Sequence, residues 1–118
     1  MPIIFVYGLP LTVKQPELEK FCDELREETC SVPELKLVKD QVSAFFPPDL
    51  MNTGLGEEII MFVEGLFDKP EERTEDVRKT LAEKLAACGR KFFPDANLVE
   101  CFVKPFDPRY GFASDAKT

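Results

Sequence analysis

The sequence predicts a single α/β domain over residues 1–118, built from two tandem β-α-β units. Their four strands form one mixed sheet with two helices on one face. Three observations predict it. Two apolar, β-rich runs, Ile3-Ile4-Phe5-Val6-Tyr7-Gly8-Leu9 and Ile60-Met61-Phe62-Val63-Glu64-Gly65-Leu66, agree at five of seven positions. Each is followed by a polar, proline-containing loop and then by apolar residues at helical spacing. Each helical stretch leads to a Pro-acid pair and another short apolar run: Pro33-Glu34 before Leu37-Val38, and Pro94-Asp95 before Leu98-Val99.

The elements follow in order. The run from Ile3 is a strand because β-branched and aromatic residues crowd it. Leu18, Phe21, Cys22, Leu25 and Thr29 then recur on one helical face, with Pro16 suited to the first turn, where its missing N–H costs nothing. The second helix shows the stripe Val77, Leu81, Leu85 and Cys88. Thr74 is its expected N-cap, and Glu75 and Asp76 complement the positive end of the helix dipole. The repeats are read as 1–44 and 58–106, joined by a connector at 45–57 and followed by a tail at 107–118. The front strands are offset by 57 residues (Ile3 to Ile60) and the back strands by 61 (Leu37 to Leu98), which implies a short insertion in the second copy.

The strands read apolar on both faces, Ile3 and Phe5 pointing one way and Ile4 and Val6 the other. Such strands are buried on both sides. Two helices cover one face, so the other is expected to meet further subunits through Ile3, Phe5 and Met61 or their alternates. The connector and the tail are the other possible cover. The stretch after Lys104 is rich in aromatics, with Phe106, Tyr110 and Phe112, and suits either a subunit boundary or the wall of an apolar pocket.

Composition narrows the function. A net charge of −7 argues against a nucleic-acid partner, which needs clustered Lys and Arg. No apolar run is long enough to cross a bilayer, and no charged-then-apolar leader precedes Ile3, so a cytoplasmic protein is expected. The four cysteines, at 22, 30, 88 and 101, include no C-x-x-C pair and are read as buried, reduced thiols. With no histidine, Ser-His and Cys-His nucleophile pairs are excluded and a zinc site is disfavoured. Acid–base chemistry near neutral pH then falls to a shifted carboxylate, a shifted lysine, a thiol or an α-amine.

A Met1-Pro2 start running into an apolar strand, the two β-α-β copies and the Tyr110-Gly111-Phe112 tail resemble the tautomerase superfamily. That superfamily includes 4-oxalocrotonate tautomerase and macrophage migration inhibitory factor. Glu64-Gly65, Arg73-Thr74-Glu75-Asp76 and Leu98-Val99 strengthen the likeness in the second half, which fits best an uncharacterised bacterial branch. The resemblance implies a homotrimer with inward-facing sheets, no cofactor or metal, and keto–enol proton transfer on a small anionic 2-oxo or enol acid. It implies that Met1 is removed and that the secondary amine of Pro2 is the general base. An α-amine in an apolar pocket is disfavoured as the cation, so its pKa falls toward neutrality. Arg73 stands where 4-oxalocrotonate tautomerase holds a substrate carboxylate, and Phe112 matches its pocket phenylalanine. The family's second arginine corresponds to Glu100, which speaks against a dicarboxylate substrate. In the migration inhibitory factor pattern the lysine falls near Ser31-Val32, with Lys36 the nearest cation, while its tyrosine and asparagine fall at Val99 and Cys101. The blander readings stand beside these: Pro2 as a rigid strand start, Arg73 as a solvated loop charge, and the whole as a non-catalytic trimeric binding module.

Overall fold

A computed structural model describes residues 1–117. Strand β1 (Ile3–Tyr7) leads to helix α1 (Gln15–Cys30). Two short 3-10 turns, Pro33–Leu35 and Lys39–Gln41, carry the chain to β2 (Ser43–Phe45). After the connector come β3 (Glu58–Phe67), α2 (Glu75–Phe92) and β4 (Leu98–Phe106), and then a last turn at Pro108–Tyr110. The sheet order is β2-β1-β3-β4. β1 runs parallel to β2 and β3 parallel to β4, while the central pair β1/β3 is antiparallel.

The helices form where the apolar stripes predict them. Phe21, Leu25 and Thr29 of α1 and Val77, Leu81, Leu85 and Cys88 of α2 are buried, on the same sheet face as Ile4, Val6, Ile59, Met61 and Val63. Each fully buried aliphatic or aromatic side chain contributes about 1.5–3 kcal/mol relative to exposure. Thr74 caps α2, its hydroxyl accepting from the Val77 N–H at 3.3 Å. Glu24 with Lys91 (2.6 Å) and Glu28 with Lys84 (3.8 Å) bridge the helices, which run antiparallel. α2 lies close to the sheet at Gly89, where a Cβ would come within 2.9 Å of Val99 Cγ1 and 3.2 Å of Met61 Cε. Arginines fasten both helix-to-strand returns. Arg26 donates to the carbonyls of Lys39 and Val42 ahead of β2, and Arg90 to those of Pro94 and Ala96 ahead of β4.

Two expectations are corrected. Leu37-Val38 is not a strand. It lies between the two 3-10 turns, with Leu37 against the core and Val38 exposed. The strand that completes the first half is β2, which ends at Phe45, the first residue of the expected connector. The offset of 61 therefore disappears. Phe45 pairs with Phe5 and Phe102 with Phe62, and both pairs are separated by 57 residues (62 − 5 and 102 − 45). Met61 is also on the other face from that expected, because the antiparallel register sets it opposite Val6 and buries it under the helices.

The remaining face of the sheet bears Ile3, Phe5 and Tyr7 with Phe45, Ile60, Phe62 and Phe102. Phe45, Phe5, Phe62 and Phe102 form one row across all four strands. Phe5 stacks on Phe45 (centroids 5.8 Å apart) and Phe62 on Phe102 (5.3 Å). Neither the connector nor the tail covers this row: Phe45 is 53% exposed, Phe102 48%, Tyr7 41% and Phe62 36%. Among the described residues no helix is long and apolar enough to cross a membrane.

Candidate active site

The chain start sits over an irregularity in β3. Between Val63 and Leu66 the register with β4 gains one residue, a β-bulge that carries Gly65 at φ +71°. Only glycine adopts this conformation without strain, and a Cβ there would stand 3.0 Å from the Met1 carbonyl oxygen. Pro2 is buried, and its carbonyl accepts from the Ser43 N–H at 3.2 Å, which ties the chain start to β2. Met1 itself is exposed. Burial first, and the nearby charge of Arg73 second, hold the Met1 amine below the usual α-amine pKa.

Arg73 is not a solvated loop charge. It is 7% exposed and lies at the end of the Asp68–Arg73 loop, which turns on bonds from the Glu72 and Arg73 N–H groups to the Lys69 carbonyl. Its Nη1 donates to the Phe67 carbonyl at 2.9 Å and its Nη2 to the Leu35 carbonyl at 3.0 Å. Nε is buried with no partner in the chain. Burial lowers the pKa of the guanidinium and Glu72 partly offsets this. The group is a cation fixed by backbone carbonyls, with its Nε left unpartnered.

The other two predicted residues gather around it. Lys36 caps the first 3-10 turn in the left-handed region (φ +52°), next to the carbonyl that Arg73 holds, and its Nζ lies 3.2 Å from Glu72 Oε1. Phe112 packs edge-on against Phe67, with centroids 4.8 Å apart, and Phe67 also packs against Phe106. Pro2, Arg73, Lys36 and Phe112, drawn from four segments of the sequence, therefore converge on the end of the sheet where β3 leaves it. Glu100 does not join them. It lies in the register row of Ile60 and Tyr7, toward the other end of β1.

Glu72 and Phe67 escaped the sequence reading. Glu72 is one of several loop acids, and nothing local marks it as the partner of a lysine 36 residues away. Phe67 looks like an ordinary strand terminus. The thiols offer no alternative base, since burial pushes Cys88 and Cys101 up to about 12 and raises Cys22 and Cys30 as well. Among the described residues, no three Cys, Asp or Glu side chains gather as a metal-binding group.

No protein-family model matches the chain, and no curated protein matches its sequence. Solved structures do resemble it in shape. One described as a fused 4-OT wild type asymmetric trimer superposes with a TM-score of 0.72 at 18% identity, covering 98% of this chain and 94% of that one. Malonate semialdehyde decarboxylase gives 0.63 at 10% identity over 98% and 92%. A domain of unknown function from Sebaldella termitidis gives 0.60 at 16% identity over 96% and 95%. With its four-stranded mixed sheet, its two helices and these neighbours, the chain has the tautomerase fold.

Proposed function

We propose that the chain, with Met1 removed, catalyses keto–enol proton transfer on a small 2-oxo or enol acid, with the secondary amine of Pro2 as general base. One observation carries this reading: Pro2 is buried, and the Met1 amine next to it has its pKa depressed by burial and by the charge of the buried Arg73. A neutral secondary amine takes the proton from the carbon next to the carbonyl. The C–H electron pair becomes the carbon–carbon double bond while the carbonyl π pair moves onto oxygen, and the protonated amine gives its proton to that oxygen to complete the enol; the same steps in reverse ketonise an enol. The free Nε of Arg73 and the ammonium of Lys36 suit the substrate carboxylate, and Phe112 against Phe67 suits the exclusion of water.

The reading includes a homotrimer that covers the exposed phenylalanine row, since a contiguous apolar sheet face is rarely left in water. It also includes a reducing, cytoplasmic setting, in line with the four free thiols. The deciding experiment compares protein whose mature N-terminus is Pro2 with protein carrying extra residues ahead of it. Turnover of a simple enol acid by the first alone supports the base. Equal turnover by both rules it out. A second reading, a non-catalytic trimeric module, draws on the bonding of Arg73: both Nη atoms already serve backbone carbonyls and Nε is buried, so the guanidinium is engaged in holding the backbone. Retention of Met1 in the intact mass of untagged protein favours that module.

A further inference from the structure

We propose that Glu72 is a built-in competitor for the carboxylate of the ligand, holding Lys36 until an incoming carboxylate takes its place. This deepens the reading of Lys36 as a carboxylate-binding cation and does not depend on Pro2 acting as a base.

Two adjacent crossings join distant segments here. Arg73 Nη2 bonds the Leu35 carbonyl at 3.0 Å, and the next residues outward, Glu72 and Lys36, meet at 3.2 Å. The inner crossing is buried and fixes the backbone. The outer one is open, with side-chain exposures of 71% for Lys36 and 43% for Glu72. Lys36 is therefore held at its Cα, in the left-handed conformation, while its ammonium is free to change partners. Exposed ion pairs are weak enough for such an exchange. An open depression of about 480 Å³, lined by Lys69, Pro70, Glu71 and Glu72, adjoins the Glu72 side of the pair, with Lys69 as its own cation and Glu71 as a second carboxylate that an anion entering there must pass.

The charges make the exchange specific for anions. Lys36, by hydrogen bond and then by charge, holds the Glu72 carboxyl below the usual range, and Lys69 and Arg73 add to this. Glu72 is thus ionised at neutral pH and is the local counter-charge for these cations. When it swings away, Lys36 needs another carboxylate. A neutral ligand offers none and does not displace it.

The test measures binding, not turnover, using the full chain and benzoate as the probe. Replacing Glu72 by Gln is expected to tighten benzoate binding about two- to fivefold, the scale of one exposed ion pair. Lys36→Gln is expected to weaken binding, and in that background Glu72→Gln should have no effect, as coupling through a single pair requires. Glu75→Gln removes the same charge three residues away, from a side chain that does not bond Lys36, and should leave the affinity unchanged. Benzyl alcohol should not respond to any of the variants. The proposal is overturned if Glu72→Gln leaves benzoate affinity unaltered or if neither protein binds benzoate. It is overturned equally if Glu75→Gln tightens binding as much, or if the gain persists without Lys36. Loss of turnover with the binding pattern intact would sink the Pro2 base and leave this proposal standing.

Discussion

Arg73 ties the first 3-10 turn to the end of β3, so its removal should be felt first as instability. Each of its two bonds to a carbonyl is charge-assisted and contributes about 1.5–3 kcal/mol, or about 3–6 kcal/mol for the pair. Against this stand the desolvated charge and the unpartnered Nε, which cost roughly 1–3 kcal/mol. Arg73→Ala should therefore lose about 2–3 kcal/mol of stability. At about 4 °C per kcal/mol for a domain of this size, the melting temperature should fall by about 8–12 °C. Arg73→Lys keeps the charge but cannot fork to two carbonyls, and should recover only part of the loss. Thermal unfolding followed by circular dichroism, at one fixed protein concentration, reads the effect. A melting temperature within about 2 °C of the parent would refute the staple. If KM for carboxylates then rose about tenfold, Arg73 would be a ligand contact with little structural role.

Three further outcomes are expected. Phe62→Asp places a charge in the centre of the phenylalanine row and should turn the oligomer into monomers by light scattering; a parent protein that is itself monomeric at micromolar concentration removes the proposed trimer. With Pro2 as the mature N-terminus, activity should rise with pH through an apparent pKa below that of a free α-amine, because the neutral amine is the active form and Pro2 is buried next to a Met1 amine whose cation burial and Arg73 already disfavour; a flat profile, or a rate that falls over that range, contradicts the amine as base. Gly89→Ala offers up to about 1 kcal/mol of helix propensity but drives a methyl group against Val99 and Met61, so chemical denaturation should show no net gain in stability, and a clear gain would mean that α2 stands further from the sheet than described.

Much of this fold is legible in local pattern. β1, β3 and both helices announce themselves through runs and stripes that need no distant partner, and Thr74 caps α2 as its chemistry requires. β2 does not, because Ser43-Ala44-Phe45 becomes a strand only by pairing with β1. Leu37-Val38 has the better strand composition, yet it is caught between two tight turns. The face of Met61 turned on parity. A shift of one residue in register exchanges the two sides of a strand, and only the antiparallel partner Val6 decides it. At the site, Pro2 and Arg73 stand out through the resemblance to the tautomerase superfamily and not through any local physical signal. That the guanidinium would be spent on Leu35 and Phe67, and that Glu72 would seize Lys36, depends on contacts spanning up to 38 residues. No local signal encodes such contacts.

The 57-residue spacing has a geometric consequence. Paired residues of β1 and β3 have numbers that sum to 67, since Phe5 faces Phe62 and Val6 faces Met61. A residue and its counterpart 57 positions later face each other only at Phe5 and Phe62, so an approximate two-fold axis pierces the sheet between those rings. Rotation about it carries the Pro2 end of the sheet onto the other end, where the counterpart of Pro2 (2 + 57) is Ile59. That residue is threaded inside β3, its nitrogen locked in a peptide bond to Glu58. The scaffold is nearly symmetric, and with Met1 removed, as proposed, its two poles are chemically unequal: one then ends at an amine, and the other is closed by continuous backbone. A fold that joins two such halves in one polypeptide gives up half of its terminal amines and leaves the second pole free to diverge.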